Sequence, residues 1–394
     1  MNTYIIIFVI GMLSISDFIY PNQKKLYHDV AFKVAFLFFC IAVSIKYYVV
    51  PDITIYVPLY ESLIDFSAIW KQLTTQSYVE PGFIVYCGIL NFLGCDYWTM
   101  TFIVSVFYFY TIYKVLTKIT TCKTFALLMI VYSEQFLYLT EYRQSIAVCL
   151  FILGFLSYLE KKKWKVFLFW VLALLFHKSA WIVIPLQWVI MLICDKKTYS
   201  RKWFLFLLFV FVLCLVIPLK SILMELVNCL PVNEISKSIG HHLSLFKPMQ
   251  FVALVYISFL CFAYTYSSKK LKGSWNALLL FFAILVTVLY QNFFLLQRVR
   301  SYFVPLVVVY CIQLYTSERR NNQFWKQLII CNCYAVCVYM LTIGYFTTKR
   351  KFEQRNMDMN YTTVFSLVKK KPSEIKKENM REANFFWKNI YLKD

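Results

Sequence analysis

Two short polar groups interrupt long apolar stretches of this chain: Arg143 with Gln144, and His177 with Lys178 and Ser179. A guanidinium binds phosphate oxygens bidentately and keeps its charge in a low dielectric. An imidazole exchanges a proton near neutral pH. These residue types suit an anionic, phosphate-bearing lipid headgroup, with proton transfer at the same place.

Charged side chains also stand at the ends of other apolar stretches. Asp52 follows one stretch, Glu80 precedes another, and Arg298 with Arg300 lies between two later ones. Arginine in or near a membrane is costly, so it indicates a function by default. If one membrane surface gathers these residues, the arginines would bind phosphate and the acids would support them.

Each candidate also has an ordinary structural explanation. Arg143 would pair with Glu141 or extend to the lipid headgroups, and the two later arginines would anchor a helix end. His177 would hydrogen-bond a neighbouring helix, and Lys178 would extend to the interface. Asp52 would cap a turn.

The composition indicates a polytopic membrane protein. Of 394 residues, 60% are hydrophobic and only 15% are charged, whereas soluble domains carry about 25% charged residues. The net charge of +21 comes from Lys and Arg in short clusters between apolar stretches, which is typical of cytoplasmic loops rather than of nucleic-acid binding. Without a Gly-rich phosphate loop, a serine-hydrolase elbow or HExxH, ATP-driven transport and proteolysis are disfavoured.

A metal site is not expected. His241 and His242 are adjacent, but no third ligand is spaced to join them. The sequence therefore predicts neither a metal nor another cofactor.

Five basic clusters orient the chain. They lie at residues 114–123, 161–165, 196–202, 269–272 and 319–326. The positive-inside rule places them in the cytoplasm, so the apolar run around His177, with a basic cluster on both sides, must enter the membrane and return. We expect the turn at residues 177–179 to lie below the outer surface, in a protein-lined cavity.

The resulting fold class is all-α: a polytopic integral membrane protein with about twelve transmembrane helices, an interfacial or re-entrant outer segment and short helical hairpins. Residues 1–346 are expected to form a single transmembrane domain, with outer loops at 51–97 and 220–248. Its first crossings are expected over residues 4–20, 31–50, 100–116, 124–140 and 144–159. Residues 82–94 are too short to span, and the amphipathic residues 59–73 lie on the membrane. The basic tail, 347–394, is placed outside.

The block EYRQSIAVCLFILGFLSYLEKKKWKVFLFWVLALLFHKSAWIVIPL resembles the signature region of the EpsG family, Wzy-like polymerases of bacterial surface polysaccharide. That family shows Arg-Gln at a helix start, a basic inner loop and a Phe-His-x-Ser-Ala turn. The matching residues are Arg143, Gln144, Phe176, His177, Ser179 and Ala180.

Weaker matches to the same family keep its order along the chain. PDITIYVPLYES supplies Asp52 and Tyr56, EPGF supplies Glu80, and QRVRSYFVP supplies Arg298 and Tyr302. NYTTVFS is similar to the family's closing segment, which favours an outer tail. The resemblance covers roughly residues 1–366.

The resemblance implies a glycosyltransferase that needs no metal. It would polymerise undecaprenyl-pyrophosphate-linked oligosaccharide repeats into O-antigen, capsule or exopolysaccharide at the outer face of the bacterial inner membrane. The lipid-linked repeats are donor and acceptor, within the lipid bilayer. A chain-length regulator and a flippase of the same pathway are possible partners, and nucleic acid is not.

Roles can be assigned to the candidate residues within this reaction. Arg143 and Arg298, aided by Arg300, would stabilise charge on the leaving pyrophosphate. His177 is the first choice and Asp52 the second for the base that deprotonates the acceptor hydroxyl. Alternatively, a protonated His177 lies against the pyrophosphate. The supporting residues are Glu80, Gln144, Ser179 and Tyr302.

Three other activities remain open at this stage. A flippase for the same lipid-linked repeat would need charges near mid-membrane and internal pseudo-symmetry. An O-antigen ligase would use the same chemistry with another acceptor. A membrane acyltransferase would need an inner donor site.

Overall fold

The fold is given by a computed structural model. It describes residues 3–19, 25–47, 52–75, 79–120, 122–134, 138, 140–195, 225, 298–299, 301–306, 308–309, 312, 367–368 and 370–390. Throughout these residues the regular structure is helical, with no β-strand. This confirms the all-α prediction for the part of the chain described.

Twelve helices are defined within the described residues. They are α1 (Thr3–Ser14), α2 (Ser16–Ile19), α3 (Lys25–Ser44), α4 (Ile53–Ser62), α5 (Phe66–Thr74), α6 (Pro81–Phe92), α7 (Tyr97–Ile119), α8 (Lys123–Ser133), α9 (Tyr142–Leu159), α10 (Lys163–Phe176), α11 (Ala180–Asp195) and α12 (Pro372–Ile390).

Three of these helices are long and apolar enough to cross a membrane: Tyr27–Ser44 in α3, Tyr97–Lys118 in α7 and Tyr142–Leu159 in α9. A crossing needs about 20 apolar residues. These spans agree with three of the predicted crossings and are consistent with a membrane protein. The full count of twelve stays a prediction.

The chain divides into two compact units. The first contains Met1–Ala180 and Leu341–Asp394, and the second contains Trp181–Met340. In the first unit α9 packs against α7 and α10, and α1, α3 and α8 pack together. Most side chains of α9 are buried, from Gln144 to Ser157, so α9 is the centre of this unit.

Local capping explains where α5 and α7 begin. Asp65 accepts a hydrogen bond from the backbone N–H of Ala68 at 2.7 Å and begins α5. Asp96 does the same for Thr99, also at 2.7 Å, at the start of α7. A side-chain oxygen at this position satisfies a backbone N–H that has no partner within the helix. One predicted amphipathic segment, residues 59–73, is therefore split between α4 and α5.

Two predicted crossings are shorter in the structure. In the crossing expected over residues 4–20, the described residues form α1 and α2 with a break at Ile15. There the hydroxyls of Ser14 and Ser16 bond to preceding carbonyls and compete with the helix. Residues 124–140 were expected to form one crossing, but α8 ends at Ser133. The next residue, the buried Glu134, closes α8 through its backbone N–H.

The turn predicted at residues 177–179 is confirmed. Helix α10 ends at Phe176 and α11 begins at Ala180. His177 has an extended backbone, with φ −157° and ψ 132°, so it cannot continue α10. Helix α6 also matches the short outer segment predicted at residues 82–94.

Candidate active site

A buried ion pair joins α9 to the start of α6. The guanidinium Nη1 of Arg143 donates to Oε2 of Glu80 at 2.5 Å. The side chains are only 12% and 6% exposed, respectively. Arg143 is the second residue of α9, and Glu80 is the N-cap of α6. A charge-assisted bond of this kind is strong and directional.

Tyr56 of α4 holds the same guanidinium from another side. Nε of Arg143 donates to the Tyr56 hydroxyl at 3.0 Å, and the guanidinium carbon lies 5.5 Å from the centre of the Tyr56 ring. The two contacts together fix the orientation of the guanidinium.

Asp52 stands at the N-cap of α4, and its carbonyl accepts the N–H of Tyr56 at 3.0 Å. Burial raises the pKa of the Tyr56 phenol well above its ordinary 10, and the charge of Asp52 raises it further. Tyr56 is therefore neutral, and Asp52 stands one helical turn before it at the start of α4.

Glu80 also holds the turn between α10 and α11. Its Oε1 accepts the backbone N–H of Lys178 at 3.1 Å, while Oε2 holds Arg143. We call this arrangement of Glu80 with Tyr56, Arg143 and the Lys178 N–H the Glu80 bridge. It brings together four segments that are far apart in the sequence.

The close approach of α6 and α10 makes the Glu80 bridge possible. A Cβ built on Gly82 would lie 2.8 Å from the carbonyl oxygen of Leu175 and 2.9 Å from its Cβ. Gly82 follows Glu80 by two residues, and Leu175 precedes His177 by two. A side chain at residue 82 would separate the two halves of the bridge.

The contacts of His177 favour one tautomer of its ring. Nδ1 lies 2.5 Å from Oγ of Ser179, and the backbone N–H of Ser179 donates to Nδ1 at 3.2 Å. A backbone N–H can only donate, so Nδ1 accepts and the neutral ring carries its proton on Nε2. Both residues are buried, His177 at 4% and Ser179 at 8% exposure.

The described candidate residues of the first unit lie at this site. Gln144 is placed here by its position beside Arg143. Gln144 is 2% exposed and adjoins Arg143 on α9. In the second unit Arg298 is exposed and Tyr302 fully buried. Arg300 lies outside the described residues, as do His241 and His242.

The structure replaces one expected ion pair with another. Glu141 was one expected partner of Arg143, but it is the N-cap of α9, and the carboxylate bonded to Arg143 is that of Glu80. Spacing along the sequence favours Glu141, whereas Glu80 comes close only through the packing of α6. Lys178 contributes its backbone N–H, and its side chain is exposed.

Sequence reasoning missed the buried Lys46. Lys46 is 2% exposed, and its Nζ donates to the carbonyl of Tyr138 at 2.6 Å. The signal was present, because Lys46 is a lone basic residue near the outer end of the crossing predicted over residues 31–50.

The comparisons with known proteins identify one family. A model of the EpsG family matches residues 29–356 of the chain. No curated protein and no solved structure matches it. Among the residues that the structure describes, no group of three or more His, Cys, Asp or Glu could hold a metal ion, and metal independence stays a prediction.

Proposed function

This chain belongs to the EpsG family, and we propose that it polymerises undecaprenyl-pyrophosphate-linked oligosaccharide repeats into a bacterial surface polysaccharide. The family consists of Wzy-like polysaccharide polymerases, so polysaccharide polymerisation is the general function. The lipid-linked donor, the residues involved and the outer location belong to the proposal.

The Glu80 bridge is the observation that carries the proposal. It gathers an arginine, a glutamate, a tyrosine and the turn that carries His177 from four separate segments into one largely buried place. Buried charges are costly unless they are paired and bonded. A buried, hydrogen-bonded arginine–glutamate pair in a chain with only 15% charged residues is consistent with a reaction centre for a charged substrate.

Arg143 would bind the pyrophosphate of the donor. When the bond between the anomeric carbon and the pyrophosphate oxygen breaks, negative charge grows on the phosphate oxygens. A preorganised guanidinium in a site that excludes water stabilises this charge by about 3 kcal/mol. Tyr56 and Glu80 hold Arg143 in a fixed orientation, so little reorganisation is needed. Arg298 and Arg300 are proposed to assist.

His177 and Asp52 would have separate roles in the rest of the reaction. Because Nδ1 of His177 accepts from Ser179, the ring donates from Nε2, which suits a bond to the leaving pyrophosphate rather than proton removal. Asp52 would then accept the proton of the acceptor hydroxyl as its oxygen bonds to the anomeric carbon. The undecaprenyl pyrophosphate leaves with the electron pair of the broken bond.

An outer location is consistent with the surface of the first unit. None of the residues of α5 is buried, and its Phe66 and Trp70 are 77% and 59% exposed. Aromatic side chains on an amphipathic helix suit the membrane interface. We further propose a single transmembrane domain over residues 1–346 in the inner membrane and an external tail over 347–394. A flippase and a chain-length regulator would be its partners.

Reconstitution tests the function directly. Purified protein in liposomes should convert an undecaprenyl-pyrophosphate-linked repeat into a series of longer lipid-linked products, and the Arg143→Ala variant should form none. In cells, deletion of the gene should reduce the polysaccharide ladder to a single-repeat band. Loss of that band as well would favour a flippase or a ligase, and a full ladder with altered mass would favour a decorating acyltransferase.

A further inference from the structure

Lys46 is a buried basic residue outside the Glu80 bridge. It follows the end of α3 by two residues, and its backbone N–H bonds to the carbonyl of Val43 at 3.4 Å. The side chain is 2% exposed. A buried amino group is retained only where its contacts compensate for lost hydration. The contacts of Lys46 therefore indicate what its amino group stabilises.

The contacts of Lys46 lie at the start of α9. Nζ donates to the carbonyl of Tyr138 at 2.6 Å and lies 4.8 Å from the centre of the Tyr142 ring. Tyr138 belongs to the link between α8 and α9, and Tyr142 is the first residue of α9. Lys46 thus ties the end of α3 to the start of the helix that carries Arg143.

The ring of Tyr142 connects this tie to the site. It packs against the Tyr56 ring with centroids 5.8 Å apart, and the Tyr56 hydroxyl accepts from Nε of Arg143. Along the backbone, Arg143 directly follows Tyr142. A shift of Tyr142 would therefore move the guanidinium both through the backbone and through its hydroxyl partner.

We propose that Lys46 is a positioning residue for polymerisation, which acts through Tyr138 and Tyr142 to fix the start of α9 and so the guanidinium of Arg143. The inference rests on the proposed function, because it assigns Lys46 to the site that binds the donor pyrophosphate. Among the described residues a carbonyl and an aromatic ring hold its amino group, rather than a carboxylate. A lysine that extended to the lipid headgroups would be exposed, so such an extension does not account for the burial of Lys46.

The test compares Lys46→Met with Lys46→Arg in liposomes containing the lipid-linked repeat. Methionine keeps the apolar stem and removes the donor, while arginine keeps a donor. A small displacement of a group that stabilises the transition state lowers kcat more than KM. We expect Lys46→Met to lose about tenfold in kcat with a much smaller change in KM, and Lys46→Arg to recover most of it. Lys33→Met, an exposed position of α3, is the matched control.

A double-mutant cycle separates positioning from general stabilisation. Arg143→Lys should retain measurable activity, and Lys46→Met should cost far less in that background than in the wild type, because the group it positions is already altered. Equal losses in both backgrounds, or equal losses in the Met and Arg variants, would overturn the inference. If Lys46→Met yields no folded protein, Lys46→Gln, whose shorter neutral side chain loses the ammonium over the Tyr142 ring, takes its place in the cycle.

The experiment gives one result if the proposed function is wrong and another if only the role of Lys46 is wrong. If the wild type forms no polymer from the lipid-linked repeat, the proposed function fails. If the wild type polymerises, Arg143→Ala does not and Lys46→Met matches the wild type, only the role of Lys46 is wrong.

Discussion

Glu80 has two separate attachments, one to a side chain and one to a backbone. Its Oε2 holds Arg143 at 2.5 Å, and its Oε1 holds the Lys178 N–H at 3.1 Å. Removing one member of a buried pair leaves the other charge uncompensated, which costs about 3–5 kcal/mol. The carboxylate is thus both a support for the arginine and a brace for the histidine turn.

Replacing Glu80 with glutamine should reveal this double role. Glu80→Gln keeps the shape but removes the charge, so we expect a free energy of unfolding lower by about 3 kcal/mol and a strong loss of polymerisation. Denaturation of the purified variant and product formation in liposomes measure the two effects. Glu141→Gln, the neighbouring acid that does not pair with Arg143, should remain near the wild type in both. Equal behaviour of the two variants would contradict the bridge.

The tautomer of His177 leads to a second prediction at the residue scale. If Nε2 donates to the pyrophosphate, His177→Gln retains a donor N–H at a similar reach and should keep roughly a tenth of the activity, while His177→Ala should lose on the order of 100-fold. If the ring is the base, glutamine cannot replace it, and both variants should be equally inactive. Rates of chain extension at saturating donor distinguish the two results.

Sequence reasoning found most of these residues but not how they are paired. Arg143, His177, Glu80 and Asp52 stand out because polar residues at the ends of apolar stretches are rare. The partner of Arg143 depends on how α6 packs beside α9 and α10, which spacing along the chain does not specify. The role of Lys46 could not be predicted, because the Tyr138 carbonyl and the Tyr142 ring that hold its amino group lie far along the chain from it.

At the scale of elements, the approach of α6 to α10 sets the geometry of the site. Gly82 lies against Leu175 with no room for a Cβ, and the residues that this contact aligns are Glu80 and Lys178. The turn at residues 177–179 was predictable, since basic clusters on both sides force the chain to return. The early end of α8 was not predictable, because hydropathy over residues 124–140 does not show that the helix ends at the buried Glu134.

Gly82→Ala tests the importance of that approach. Alanine favours a helix over glycine by about 1 kcal/mol, so an unopposed substitution would stabilise α6. Here the added methyl meets the backbone of Leu175 at 2.8–3.0 Å, and overpacking costs about 1–3 kcal/mol. We expect lower thermal stability and reduced polymerisation.

Gly11→Ala is the matched control for this substitution, because its Cβ would meet only the Cδ1 of Leu128, at 4.0 Å. It should be neutral or slightly stabilising. A fully active and stable Gly82→Ala variant would show that the spacing of α6 and α10 is not critical.

At the scale of the whole molecule, the tail and the site lie on the same unit. Helix α12 packs on α4, buries Ile375 and Ala383, and pairs Lys376 with Glu61. Since α4 also carries Tyr56, we expect α12 to lie on the side of the membrane that holds the Glu80 bridge. Helix α12 follows the residues matched by the family model, which end at 356. The position of α12 is therefore argued from its contacts and not from the family match.

Single cysteines test this arrangement together with the orientation of the chain. With the accessible native cysteines replaced, Lys178→Cys and Lys377→Cys should react with an impermeant thiol reagent added outside intact cells. Lys163→Cys, at the other end of α10, should react only after the membrane is opened. All three positions are exposed on the protein surface, so access to the reagent depends on the side of the membrane.

The labelling result at residue 377 is the one that decides the placement of the tail. The positive-inside rule alone would place this basic tail in the cytoplasm, although the rule is weak for long segments. The contact of α12 with α4 instead predicts that the tail lies on the same side of the membrane as the site. Labelling of residue 178 but not 377 from outside would mean that α12 does not dock on α4 in the membrane. Labelling of residue 163 from outside would reverse the orientation and place the Glu80 bridge in the cytoplasm, where a polymerase of surface polysaccharide could not use it.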